Sequence, residues 1–435
     1  MNVVVLMGDH FRADALGALG NPLARTPNLD RLAGESVRFS QAFCQAPVCA
    51  PTRHSLATGR YCCDHGVLSN RHTPRPGLRT VAHAIEPLGY RRMQFGHMHW
   101  TDPAMDTGYE PLPDPSGWRR EVSPEVAARY EWEAQSITRR TTGGPSPRRF
   151  EEYSGYHVAG NAIAHIQDAV ERDEPFLCWV SFSEPHPPWY PPKEIYRQFE
   201  QSAIALPAQP PDDAPPPHPV IRGQQQEWAH LTEVEVRQIT AGFYGMVALA
   251  DAYCGMVLNA LDRLGIRDET AILFTSDHGE QLYEHWLFTK FCMREASVHV
   301  PMMIRVPGMA PGVREELVEH VDVLPTICDL AGAEMPSGLP GRSLAPLLDA
   351  GAETPEGWRE AAFAEITGVQ GARLIRMART ATDKLNVYDG EPGEYYDLAA
   401  DPGEFYNRIG DPAARSRIEA LHEAHLIHGD VKPSN

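Results

Sequence analysis

Three short apolar runs lie far apart in the chain and share one habit: Val3-Val4-Val5-Leu6-Met7, Phe176-Leu177-Cys178-Trp179-Val180-Ser181-Phe182, and Ala271-Ile272-Leu273-Phe274-Thr275. Each is continuous rather than alternating, so each reads as a strand buried on both faces. Each stops at polar residues: Gly8-Asp9-His10, Ser183-Glu184-Pro185-His186 and Ser276-Asp277-His278. Such strands form mostly parallel sheets with helices on both faces. Their functional side chains collect beyond the carboxyl ends of the strands. One aspartate after a strand is usually a turn or cap residue. Two Asp-His pairs at two strand ends exceed what capping needs. Carboxylates with imidazoles suit a divalent cation, mixed donors leaning toward Mn2+ or Zn2+ and all-oxygen sets toward Ca2+ or Mg2+.

The segments between the runs keep the α/β rhythm. Helical patterns cover residues 27–32, 78–88, 156–170, 234–264 and 321–330, and further strands cover 37–43, 91–95 and 302–306. The strand at 91–95 ends at Gly96-His97-Met98-His99. After Leu348 the texture changes to short strands (362–366, 374–377, 384–388) and a last helix from Pro412. The expected organisation is a catalytic α/β domain over 1–348 and a smaller antiparallel subdomain over 349–435. Residues 102–149 are rich in Pro, Gly, Trp and Arg without a sustained period, and read as an insertion over the site. Prolines at 207, 210, 211, 215, 216, 217 and 219 make 206–219 a surface loop.

A second constellation lies at Val48-Cys49-Ala50-Pro51-Thr52-Arg53. A helix from His54 on would put Cys49 at or just before its N-terminus, where free N–H groups and the dipole favour an anion. Arg53 adds a fixed charge, so a nucleophile there would meet a negatively charged substrate already stabilised. A lone Cys-x-Pro-x-Arg reads sooner as a buried structural cysteine in a Pro-containing turn. The rest of the chain decides between the two.

Charge and composition narrow the partners. With 39 basic and 58 acidic residues the formal net charge is −19, which argues against a nucleic-acid or anionic-membrane surface but not against a small anionic substrate. Eight cysteines are scattered without zinc spacing, and most of them read as reduced core residues. No run approaches a membrane span, and the apolar start is too short for a leader, so a cytoplasmic protein is expected. The tail His428-Gly429-Asp430-Val431-Lys432-Pro433-Ser434-Asn435 is similar to a kinase catalytic loop, but no glycine-rich loop or kinase lobe accompanies it. We read it as chance.

The Cys49 stretch, with Thr58-Gly59-Arg60 after it, resembles the sulfatase signature, in which the cysteine is oxidised to formylglycine. Asp9-His10, Thr26-Pro27-Asn28-Leu29-Asp30-Arg31-Leu32, Thr275-Ser276-Asp277-His278-Gly279-Glu280 with Lys290 and Glu295, and Gly338-Leu339-Pro340-Gly341-Arg342 resemble further family stretches in the family's order. So do Tyr396-Asp397-Leu398, Asp401-Pro402 and Asn407. The resemblance implies an alkaline-phosphatase-like fold and a metal held by Asp9, His10, Cys49, Asp277 and His278, the ion being Mn2+, Ca2+ or Zn2+. It also implies Arg53 on the formylglycine diol, Lys290 and His97 on the substrate's oxygens, His99 in nucleophile turnover and His186 as acid to the leaving group. The diol would attack sulfur, the alcohol would leave, and deprotonation of the second hydroxyl would expel sulfate. A formylglycine-generating enzyme would be needed for maturation, and relatives of this kind often associate.

Three positions depart from the usual pattern. His10 stands where a second Asp or Gln is usual, His97 where a lysine is usual, and His278 where many arylsulfatases have Asn. His278 and Pro185-His186-Pro187-Pro188 resemble the phosphonate monoesterase branch. The expected function is hydrolysis of a sulfate monoester, with phosphonate monoester or phosphodiester hydrolysis as the alternative in the same site. A catalytically idle anion-binding or scaffold protein is the alternative of another class. Arg119, Arg120, Arg139 and Arg140 would recognise further anionic groups, or be plain surface charges. Tyr130, Trp132 and Trp189 would line an aromatic pocket.

Overall fold

The computed structural model describes residues 1–110, 123–136 and 142–429. Arg119, Arg120, Arg139, Arg140, the Trp132 side chain and the end of the kinase-like tail lie outside the described residues.

Seven strands form the main sheet: β1 (Asn2–Gly8), β2 (Val37–Phe43), β3 (Arg91–Gly96), β4 (Phe176–Ser181), β5 (Thr270–Ser276), β6 (Met302–Arg305) and β7 (Gly312–Glu319). Their order is β3-β4-β1-β5-β6-β2-β7, and β6 alone runs antiparallel to its neighbours. The three apolar runs are therefore side by side. Val5 pairs with Trp179 on one flank and with Leu273 on the other, and Gly8 pairs with Ser276. That register sets Asp9 beside Asp277. The reversal of β6 brings the chain before it, including Lys290, to the same end of the sheet.

Alternation along β1 divides the core. Val3, Val5 and Met7 belong to one cluster with α2 (Cys49–Thr58) and α5 (Val323–Ala331). Val4 and Leu6 belong to the other, with α1 (Pro27–Gly34), α3 (Ser154–Glu171) and α4 (Glu233–Leu264). Helix α4 begins with a Thr232/Glu235 capping box and stops at Gly265 in the left-handed region. It is long and apolar enough to cross a membrane, contrary to the sequence expectation, yet most of it is buried inside the fold. Asp251 on α4 accepts the backbone N–H of Asn28 at 3.3 Å and of Leu29 at 2.7 Å, fastening the start of α1.

Other elements differ from the pattern reading. Helix α2 starts at Cys49 itself rather than at His54, because Pro51 needs no N–H partner in a first turn. The 78–88 helix is only Val81–Ile85, closing as a 3-10 turn at Glu86–Leu88 around Pro87. The 102–149 insertion contains a helix, Pro124–Ser136, and the Pro-rich loop feeds another, Pro219–Trp228, with Pro219 at its first position. Strand β7 was missed because it is a charged strand at the sheet's edge, half of it facing solvent.

The second sheet is antiparallel, ordered β11-β10-β9-β8, from β8 (Ala362–Val369), β9 (Ala372–Arg379), β10 (Asp383–Tyr388) and β11 (Glu391–Asp397). Helix α6 (Arg415–Gly429) packs on it. Strand β11 hid behind Pro392 and Gly393 and a register shift opposite Asn386/Val387. This sheet grips the chain between β5 and β6. The fully buried Lys384 ammonium meets Glu295 at 2.6 Å and Glu404 at 2.9 Å, and donates to the Met293 carbonyl at 2.9 Å. Arg294 donates to the Glu404 carbonyl at 2.6 Å and pairs with Glu394 at 3.3 Å. Replacing Lys384 by Met leaves the buried Glu404 carboxylate without its ammonium partner and takes one of two cations from the part-exposed Glu295, which keeps Arg379 at 3.2 Å. Denaturant unfolding of Lys384→Met is expected to show a loss of about 3–5 kcal/mol.

Candidate active site

The carboxyl ends of five parallel strands supply the site. Asp9 and His10 follow β1, Asp277 and His278 follow β5, His186 follows β4, His97 and His99 follow β3, and Cys49 and Arg53 sit on the helix that follows β2. Lys290 comes from the chain before β6. All ten residues expected from the sequence are gathered in this one region, and seven of them are buried, with His97, His99 and His186 partly exposed.

Four of them converge tightly. One ligand atom each from Asp9, His10, Cys49 and His278 lies within 4.8 Å of all the others. Cys49 Sγ is 3.3 Å from His278 Nε2 and 3.8 Å from Asp9 Oδ1, and Lys290 Nζ donates to it at 3.0 Å. Asp277 adjoins this group, its Oδ2 3.5 Å from His278 Nε2. Its Oδ2 accepts Arg53 Nε at 2.9 Å, and its Oδ1 accepts the backbone N–H groups of His10 at 3.2 Å and His278 at 2.9 Å.

Arg53 is fully engaged. Its guanidinium donates to Asp9 Oδ2 at 2.9 Å, to Asp277, to Ser181 Oγ at 2.7 Å and to the His97 carbonyl. Burial pushes the Asp9 carboxyl up, but His186, Arg53 and Lys290 outweigh it and hold Asp9 ionised. Burial acts on Asp277 in the same way and Arg53 overcomes it.

The histidines are held neutral. Burial, followed by Asp277 and Lys290 with opposite signs, leaves His278 at about 4. Burial and then Lys290 push His10 well below its ordinary value. His278 Nδ1 lies 2.9 Å from the Gly279 carbonyl and donates to it, leaving the Nε2 lone pair facing Cys49. His10 Nδ1 lies 2.7 Å from Glu280 Oε2, and its Nε2 meets Lys290 Nζ. Its ring is 4.5 Å, centroid to centroid, from those of both His186 and His278. His186 Nδ1 donates to the Pro187 carbonyl at 2.6 Å. Nδ1 of each is thus committed and Nε2 is the working atom.

Cys49 occupies the first position of α2, at the positive end of the helix dipole. Burial and then Asp9 push its thiol up to about 12, with Lys290 opposing. At neutral pH it is a thiol, not a thiolate, and as a cysteine it is a poor nucleophile. The Lys290 segment is locally strained: Leu282, Tyr283, His285, Trp286, Thr289 and Phe291 all have positive φ. Glu280 holds it closed by accepting the N–H groups of Leu282 and Thr289.

Sequence reasoning passed over Glu280 as a site residue, as well as Ser181 and Asn70. Glu280 lay inside a quoted stretch, and Ser181 was the polar residue near the end of an apolar run. Asn70, whose Oδ1 accepts the Ala50 N–H at 2.9 Å, carried no local signal.

Comparison with known proteins gives the family. The family model described as Sulfatase matches residues 1–333, and a second, described as N-sulphoglucosamine sulphohydrolase, C-terminal, matches residues 283–428. The multifunctional alkaline phosphatase superfamily protein PehA of Trinickia caryophylli is 29% identical over 410 residues, covering 82% of this chain and 78% of its own length. The choline-sulfatase of Rhizobium meliloti (strain 1021) is 27% identical over 422 residues, with 92% and 80% covered. The crystal structure of the phosphonate monoester hydrolase of Agrobacterium radiobacter superposes with a TM-score of 0.81 at 27% identity, covering 98% of this chain and 94% of that one. With one family model spanning most of the chain and the fold shared from end to end, the protein belongs to the sulfatase family, the sulfuric ester hydrolases of the alkaline phosphatase superfamily.

Proposed function

We propose that the protein hydrolyses a sulfate monoester at Cys49, after that residue has been oxidised to formylglycine, with the aid of one divalent metal. The observation that supports this most is the placement of Cys49 Sγ at the start of α2, 3.0 Å from Lys290 Nζ and 3.3 Å from His278 Nε2. The donor set fits a cation: an ionised Asp9, two neutral imidazoles and the residue-49 side chain, with Asp277 adjacent. Such an ion, when bound, supplies Lewis-acid stabilisation of the ester's oxygens. Formylglycine, when formed, supplies a hydrated aldehyde in place of the thiol. Arg53 keeps both aspartates ionised and oriented, Lys290 neutralises charge on the transferred group, the imidazolium form of His186 gives its Nε2 proton to the departing alcohol oxygen and is left neutral with Nδ1–H on the Pro187 carbonyl, and His99 takes a proton during turnover. The eight cysteines, all free and seven of them buried, support a reducing compartment and thus the cytoplasm.

Phosphonate monoester hydrolysis is the second reading, favoured by His97. Burial and then Arg53 hold that imidazole down at about 4, so a neutral group stands where a lysine is usual. Turnover of 4-nitrophenyl sulfate against 4-nitrophenyl phenylphosphonate separates the two. A higher kcat/KM for the sulfate is expected, and the reverse order would replace the first reading by the second.

Peptide mass spectrometry across Cys49 of active protein is expected to show the mass loss of thiol-to-aldehyde conversion. Cys49→Ala is expected to remove turnover, by at least the ~10^4-fold typical of losing a nucleophile, while the circular dichroism spectrum persists. Metal retention should also report the imidazoles. Because His10 and His278 are held below their ordinary values, they stay unprotonated as pH falls from 8 to about 5, and compete with protons only as it approaches the value of about 4 at His278. Metal content after dialysis is therefore expected to be flat above about pH 5 and to drop below it. Loss already at pH 6.5 would show that the imidazoles titrate near their ordinary value rather than below it.

A further inference from the structure

A groove of about 370 Å3 opens at the β3 edge of the sheet, between the turn at 97–100 and one side of α3. That volume lies in the range of small-molecule sites. Its polar and aromatic wall comes from Gln94, His97, His99, Trp100, Asn161 and His165. Among the described residues no lysine, arginine or carboxylate lines it.

The groove and the reactive cluster share a wall. The His97 backbone is clamped, its carbonyl accepting from Arg53 and from Ser181 Oγ at 2.7 Å while its N–H donates to the Ser181 carbonyl at 3.0 Å. Gly96 makes that approach feasible. It has φ of +85°, and a Cβ there would lie 2.0 Å from the Ser181 carbonyl oxygen. From this fixed backbone the His97 imidazole stands 3.8 Å from Asp9 Oδ2, its ring centroid 4.8 Å from that of His99.

The groove also holds unused hydrogen-bonding capacity. His99 Nδ1 is buried without a partner. His165 Nδ1 lies 2.9 Å from the Asn161 carbonyl, so its second nitrogen is the one left for a ligand. Flat surfaces accompany these polar atoms: the Trp100 indole is held by its Nε1 donating to Gln94 Oε1 at 3.0 Å, and the His165 ring lies 5.1 Å from Phe95. A charged substituent would lose water here and find no counter-ion, whereas an aromatic ring would stack and a hydroxyl would pair.

We propose that this groove receives the alcohol portion of the ester, and that this alcohol is an uncharged aromatic bearing a hydrogen-bonding substituent. The inference rests on the hydrolytic reading above, placing the ester bond at the cluster and the ring across His97. Asn161 is exposed on α3 and outside the reactive cluster, so Asn161→Trp narrows the groove without touching the chemistry. With 4-carboxamidophenyl sulfate this variant is expected to raise KM about tenfold, the size of a modest pocket mismatch, with kcat and thermal midpoint unchanged. Gln167→Trp, exposed on the same helix but away from the groove, should leave KM unchanged.

Binding is read separately, by the His165 imidazole signal in NMR. The neutral probe 4-hydroxybenzamide is expected to shift that signal in the wild type and not in Asn161→Trp, and the anionic 4-hydroxybenzoate to shift neither. An unchanged KM in Asn161→Trp, no shift with 4-hydroxybenzamide, or equal binding of the two probes would overturn the proposal. Wild-type protein that carries formylglycine at position 49 and cleaves no ester, yet binds 4-hydroxybenzamide at His165, would overturn the hydrolytic reading and support the groove.

Discussion

Everything at this site depends on one guanidinium lying between two buried carboxylates. Asp9 and Asp277 are brought together by the pairing of β1 with β5, and neither is open to solvent. Two like charges in such a place would drive one to protonate. Arg53 donates to both at 2.9 Å, so both stay ionised and their remaining oxygens are aimed. Its other donors tie in Ser181 and the His97 carbonyl, so this one side chain joins the ends of β1, β3, β4 and β5. A buried ion cluster of this kind is weak evidence for stability. Its value lies in fixing the geometry of the groups around it.

The remaining cation, Lys290, is placed by a different route. It sits on a segment with many residues in the left-handed region, a conformation that persists only when surrounding contacts over-determine it. Those contacts come from two sides. Glu280 closes the segment from within, and the C-terminal sheet holds its far end through Lys384, Glu404 and Arg294. The second sheet thus contributes no ligand to the cluster, yet it holds the chain from which the lysine reaches Cys49.

Much of this was legible in the sequence because burial on both faces leaves a continuous apolar run, and because a strand that ends at a site ends in unusual residues. Val3-Met7 followed by Asp9-His10 is such a signal, and so is Ala271-Thr275 followed by Asp277-His278. The signal fails where burial is one-sided or broken. Strand β7 faces solvent with charged residues, β11 carries Pro392 and Gly393, and the helix within the insertion has no clear apolar stripe. It also fails for partners that act across the fold, such as Asn70 on the Ala50 N–H or Glu280 on His10.

The sequence by itself determined the residue types and their order: a cysteine with Pro51 and Arg53 behind it, aspartates and histidines after strands, and an alternating β/α chain with an antiparallel end. Those follow from local rules of periodicity, proline geometry and strand termination. Only the tertiary structure decided that Asp277 lies beside Asp9 and that Arg53 is shared between the two carboxylates. It alone decided that the Cys49 thiol is held far from ionisation and that the histidines present Nε2. Each of these is set by which strands pair, by the direction of β6, and by how much water burial removes. Such quantities depend on residues hundreds of positions apart.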